Sequence, residues 1–474
     1  MPVERCYLHG KHSYIDTEFM AQVAAACLAD QMVQNEIETL GLPEGATVVV
    51  EPWKYATDVM IDMKDRWTMV VRIYRLPSGE HEKISNVSKE FDRAKAHSGS
   101  EYHPDLVEER RTTTRPYNIT QPESPSFNID GNHVTWEKWA LRVGFNYREG
   151  MTLHDVHFVG RSLFYRLSLA EMFVPYGDPR FPYPRKAAFD LGNDGAGINA
   201  NNLKLGCDCL GHIKYFDGWL STSAGEPLKM PNVICCHEVD DGILWKHTNF
   251  RTGNAVVASN YDYIFLFYFQ QDGSIFYEVR ATGIMSTAPI DLDTKTHPMP
   301  FTGESDNSNP FGVGFVTKSD PIEKEVGVDL DFNTNRTFKN CQRKRDQLND
   351  CSWHGKRAEY AAHAVWVTRY RDDELFPAGK FTMQSTGGDG IASWIQQRER
   401  DGESVVQNED IVVWHTFGST HNPRSEDWPV VPCEKIVVGL KPVNFFKGNP
   451  ASDVPISSQE QKRSVLVSSG CQNE

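Results

Sequence analysis

From Ser126 nearly to its end the chain is a succession of short apolar runs cut by Gly, Pro and Asn turns, and no feature restricts the possible folds more. The runs are His133 to Val143, Ser162 to Phe173, Ile213 to Asp217, Tyr263 to Val279, Ala364 to Tyr370, Ile411 to Phe417 and Ile436 to Leu440. Each is rich in β-branched and aromatic residues and reads as one or two strands. Strands spaced in this way bury one face by packing sheet on sheet, so the pattern predicts a mainly β fold whose bulk, residues 111–474, is a large β-sandwich. The 26 prolines, 35 glycines and 11% aromatic residues suit many strands and turns rather than helical repeats.

The first 110 residues read differently. Between Asp16 and Leu40 the apolar positions Phe19, Val23, Ala26, Cys27, Leu28 and Met32 recur every three to four residues, which predicts one amphipathic helix ending near Gly41. Val48 to Val50 and Trp67 to Tyr74 read as strands, giving a small α/β domain over 1–110. The polar segment Lys95 to Tyr117 has no core-forming period and reads as a linker. Residues 335–359 also lack strand alternation and read as a loop or insert in the sandwich.

A net charge of −15 without a basic block argues against a nucleic-acid partner or an anionic membrane surface. No apolar run of about 18 residues occurs, and the opening MPVERCYLHG lacks a secretory layout, so an intracellular protein is expected, cytoplasmic or peroxisomal. The closing CQNE is not a Ser-Lys-Leu-type address. Ten cysteines in such a chain are expected to stay reduced. A zinc site from Cys207, Cys209, Cys235 and Cys236 lacks zinc-ribbon spacing.

One tetrad stands out: Asn260-Tyr261-Asp262-Tyr263, at the mouth of the apolar run Ile264 to Phe269. A tyrosine at a strand end is ordinary, so the tetrad by itself says little about chemistry. It has companions, however. RVGFNYREGMTLHDV, GRSLFYRLSLAEM, VPYGDP, KAAFDLG, LGCDCLG, CHEVDDGILWKH, ASNYDY, THNPRSEDWPV and NPASDV, in this order, resemble the copper amine oxidases.

That resemblance implies a reaction. Members use copper and topaquinone, a quinone made in place from a tyrosine, to convert primary amines and O2 to aldehydes, ammonia and H2O2. Tyr261 matches the quinone precursor, and Asp190, in the Phe-Asp-x-Gly segment, matches the base that removes the amine's α-proton. Read without the resemblance, Asp190 is a turn aspartate before Gly192. Tyr263 resembles a tyrosine that hydrogen-bonds the quinone, and reads equally as a core aromatic with a wet tip. Cys209 and Cys235 match an internal disulfide, with a pair of buried free thiols as the alternative. A homodimer is implied too, and the apolar stretch Val437 to Pro455 is long enough to reach a partner.

The chain departs from the family at the metals. His421, in Thr-His-x-Pro-Arg, matches one of three copper histidines, but the other two, a His-x-His on one strand, have no counterpart between Tyr261 and His421. Alternate strand residues share a face, which is why that spacing clips one metal. The pairs His9/His12 and His154/His157 are spaced i, i+3 and lie in no copper segment. Asp410 and Ile411 match half of a peripheral site for a second divalent ion such as calcium or manganese. Family-like chain stops near residue 290 and resumes at His297, and further shortened seams fall before Ser259 and after Asn340. Two readings stay open: a primary amine oxidase, or an inactive relative serving at most as a dimeric binding module.

Overall fold

The computed structural model describes residues 17–39, 47–54, 68–76, 82–84, 112–175, 189–206, 208–222, 224–241, 264–283, 353–363, 365–383, 385–404, 406–418, 425–427, 431–455 and 458–465. The expected Asp16–Leu40 helix is two helices, α1 (Thr17–Ala29) and α2 (Gln31–Thr39). Asp30 divides them: its carboxylate accepts from the backbone N–H groups of Met32 (2.8 Å) and Val33 (3.3 Å), so it caps α2 where the apolar periodicity runs on unbroken. Strands β1 (Thr47–Lys54), β2 (Thr68–Leu76) and β3 (Glu82–Ile84) form an antiparallel sheet in that order, and α1 lies against β1.

The rest is mainly β. Strands β4 (Asn128–Asp130), β5 (His133–Trp136), β6 (Trp139–Asn146), β7 (Gly150–Phe158) and β8 (Arg161–Ser168) make a five-stranded antiparallel meander. Hairpin β9 (Lys214–Ser221) and β10 (Pro227–Cys236) follows, and then β11 (Ile264–Phe269) and β12 (Ile275–Gly283), joined by the expected turn at Gln270–Gly273. Strands β13 (Val365–Arg369) and β14 (Ile411–His415) pair with each other. Strand β15 (Val431–Leu440) returns to the free side of β12, with Ile275 opposite Leu440.

Layering follows from alternation. Inward residues of the meander, among them Val134, Trp139, Leu141, Val143, Leu153, Val156 and Phe158, meet Ile234 of β10 and Ile275 of β12 in one buried core. Trp139 rests on Phe158 (4.6 Å) and Phe269 (4.9 Å), while its indole N–H donates to the Gln270 carbonyl at 2.8 Å, so its one polar atom is satisfied across the layers.

The stretch 335–359 is not all loop. Residues 335–352 lie outside the described ones, but Trp353–Arg357 is a short helix, and it delivers Arg357 and His354 into a second core with Phe189, Ala358, Tyr360, Ala378 and Ile391. Among the described residues no helix is long and apolar enough to cross a membrane.

Candidate active site

The second core backs onto Asp190. Beyond β8 the chain passes Glu171 and Met172 to Phe173, which bridges antiparallel to Phe189. The Asp190 N–H therefore donates to the Met172 carbonyl at 2.8 Å. From there residues Asp190–Asp194 form one π-helical turn, closed by the Gly195 N–H donating to the Asp190 carbonyl at 2.9 Å. Such widened turns are rare and recur at functional sites.

Beneath this turn lies a polar layer. The Glu171 carboxylate, whose side chain is wholly buried, pairs with Arg148 at 2.8 Å and accepts the N–H groups of Gly192 (3.0 Å) and Met172 (3.1 Å). Arg148 is fixed in turn by the carbonyls of Gly379 (3.1 Å) and Lys380 (3.0 Å) and stacks on Phe376 at 3.8 Å. Burial pushes the Glu171 carboxyl up; Arg148 and the two backbone N–H groups oppose it. The Tyr360 phenol is pushed well above the usual value, first by burial and then by the carboxylates of Glu171 and Asp190.

Gly192 could be nothing larger. A Cβ there would lie 2.5 Å from Thr382 Oγ1, 2.7 Å from Glu171 Oε2 and 2.9 Å from Arg148. The Asp-x-Gly spacing thus has a packing reason, in place of the plain turn that the sequence also allowed. Aromatic walls complete the site: Phe189 contacts Phe173 at 4.8 Å, and Arg357 lies over Phe189 at 5.0 Å.

The other expected site residues are scattered or outside view. Tyr261, Tyr263 and His421 lie outside the described residues. Asp410 and Ile411 are exposed at the start of β14, where the Asp410 carbonyl accepts the Tyr370 N–H at 2.7 Å. Cys209 and Cys235 are not bonded to each other in this structure, but their sulfurs and one His237 ring nitrogen lie within 4.8 Å of one another, near enough for oxidation to join them. Hydrogen bonding to Cys235 holds the Cys209 thiol below its usual value, while the same pairing and burial raise the Cys235 thiol. Among the described residues this is the one group able to offer a metal three such ligands, and no set of three histidines converges. His154 and His157 are engaged separately, with Thr152 (3.0 Å) and Asp155 (2.8 Å).

Arg148, Glu171, Tyr360 and Thr382 are not evident as a group in the sequence. The available signal was a lone carboxylate, Glu171, inside the apolar run SLFYRLSLAEMFV.

Residues 128–302 and 342–461 match the family model "Copper amine oxidase, enzyme domain". Copper amine oxidase 1 of Aspergillus niger is 36% identical over 557 aligned positions, covering 94% of this chain and 82% of that protein. The primary amine oxidase of Arthrobacter sp. (strain P1) is 38% identical over 75% of this chain, which spans 65% of that protein. A crystal structure of a copper-containing benzylamine oxidase from Hansenula polymorpha superposes with a TM-score of 0.74 at 34% identity, covering 95% of this chain and 86% of that one. The chain belongs to the copper amine oxidase family.

The same comparison bears on the seams. An alignment of 557 positions exceeds the chain's 474 residues by 83, so at least that many residues of the Aspergillus relative have no counterpart here.

Proposed function

We propose that the chain is a primary amine oxidase in which Asp190 takes the α-proton of the bound amine. The π-turn that bears Asp190, braced beneath by Glu171 and Thr382, is the observation that carries this reading. A carboxylate whose backbone is held in place is suited to accepting a proton from carbon. The Met172 carbonyl fixes the Asp190 backbone. A topaquinone formed from Tyr261 would supply the electrophile and electron sink. The Arthrobacter, Hansenula and tobacco relatives are named for methylamine, benzylamine and N-methylputrescine, which supports an amine as substrate class.

Among the described residues no three histidines converge, and the one three-ligand group is thiol-bearing, drawn from the loop before β9, from β10 and from His237 just after it. The family's metal would rest on His421 and on residues outside the described ones, with Asp410 and Ile411 beside a second ion. The lack of a His-x-His between Tyr261 and His421 in the sequence supports a second reading, an inactive relative acting as a dimeric binding module. The domain division at 110/111, a Cys209–Cys235 disulfide, a homodimer through the exposed apolar Val437, Leu440 and Val443, and a peroxisomal or cytoplasmic location belong to the same proposal. Relatives from tobacco and Pichia are named peroxisomal, which supports the last.

Two measurements decide. Copper-loaded protein treated with phenylhydrazine should give a coloured quinone adduct, and its absence leaves the inactive reading. Asp190→Asn should keep the adduct while lowering turnover by roughly two to four orders of magnitude. Undiminished turnover would remove Asp190 from the base role.

A further inference from the structure

The Arg148–Glu171 pair is a puzzle on stability grounds. Two charges taken wholly out of water lose hydration that their mutual attraction only partly returns, and apolar side chains of similar volume often hold a core together as well or better. The two side chains are 4% and 0% exposed, so solvent offers no relief. What an apolar pair lacks is an acceptor. Glu171 Oε1 receives two backbone N–H groups at once, from Met172 beside it and from Gly192 across the gap, while Oε2 faces the Arg148 guanidinium.

Those two amides flank Asp190 from both sides. Met172 supplies the carbonyl that holds the Asp190 N–H, and Gly192 is two residues further along the same π-turn. Arg148 extends the frame to the loop at Gly379 and Lys380, and the bare Cα of Gly192 is what lets the carboxylate approach. An acceptor at Glu171 therefore sets where the Asp190 backbone sits, although Glu171 itself lies beneath the turn.

We propose that Glu171, oriented by Arg148, is a positioning residue for the Asp190 base, acting through the Gly192 and Met172 amides. The inference rests on the reading of Asp190 given above.

The test separates the acceptor from the charge pair. In Arg148→Met/Glu171→Leu both charges and the acceptor go; in Arg148→Met/Glu171→Gln the charges go but a side-chain carbonyl remains. Amide hydrogen exchange, followed by mass spectrometry on the full chain, should rise about tenfold in peptides covering 171–174 and 189–195 of the Leu variant, the scale of a lost buried hydrogen bond. The Gln variant should stay within about twofold of the parent. Equal exchange in the two double variants, or parental exchange in the Leu variant, overturns the proposal. In quinone-bearing protein the Leu variant should lower kcat with KM unchanged, and the Gln variant should recover most of the loss; an unchanged kcat in the Leu variant also overturns it. Failure of the underlying reading looks different: Asp190→Asn would leave turnover intact while the exchange contrast persisted.

Discussion

The Thr382 hydroxyl donates to Asn193 Oδ1 over 2.6 Å, tying the π-turn to a loop 189 residues further on, and both side chains are buried. Thr382→Val keeps the shape and removes this donor to a buried carbonyl oxygen. The loss should be roughly 1–3 kcal/mol in chemical denaturation, and Thr382→Ser should recover part of it. Valine behaving like threonine would mean that the turn is held without this tie.

Gly192→Ala should be costly for a change of one methyl group. The added carbon would stand 2.5 Å from Thr382 Oγ1 and 2.7 Å from Glu171 Oε2, atoms that are themselves locked. Overpacking of this kind costs roughly 1–3 kcal/mol. Gly448→Ala, with nothing within 4 Å of the new carbon, is the control and should stay within about 0.5 kcal/mol of the parent. Thermal unfolding of the two variants side by side checks the difference.

His354 links stability to pH. Burial first, and then the neighbouring Arg357, lower it from 6.5 to about 4, so it is neutral in the fold while the unfolded chain binds a proton. The unfolded state gains that proton as pH falls below about 6.5. The stability is thus complete above that value and is lost on the way down to about 4, on the order of 3 kcal/mol in all. His354→Leu should flatten the melting-temperature profile between pH 7 and 4.5. An equally steep profile in the variant would assign the acid loss to other groups.

Cys209, in the loop before β9, and Cys235 of β10 bring their sulfurs within 4.8 Å of each other. Protein isolated without reductant should resist alkylation at both and react fully after reduction, whereas Cys236, also raised by burial, to about 11, should label slowly in either state. Full labelling of Cys209 and Cys235 before reduction would establish them as a thiol pair.

How much of this could be read from the sequence depends on how far apart the partners lie. Runs such as Ile264 to Phe269 and Val365 to Arg369 appeared as strands where expected, because alternation and turns are local signals. Strand β10 was hidden by Pro231 and Asn232: the pairing register shifts between Met230 and Ile234, and Asn232 takes a φ of 52°. The break at Asp30 escaped because a cap interrupts a helix without interrupting its apolar period. Asp190 was reached through a motif. Its support was not, because Arg148, Glu171, Tyr360 and Thr382 come from four separate stretches that only the finished fold brings together.

The return of β15 to β12 also bears on how the chain is made. Hairpin β11–β12 is complete in sequence by Gly283, yet the outer edge of β12 finds its partner only when Val431–Leu440 arrives, with Ile275 waiting for a residue 165 positions later. At about 5–20 residues per second, that edge leaves the ribosome roughly ten to thirty seconds before its mate. Through that interval Ile275, Tyr277 and Val279 belong to an apolar strand with unpaired amides, the kind of surface that recruits a neighbouring nascent chain. Synthesis rate and chaperone supply, more than the stability of the finished sheet, would then set how much of this protein a cell recovers in folded form.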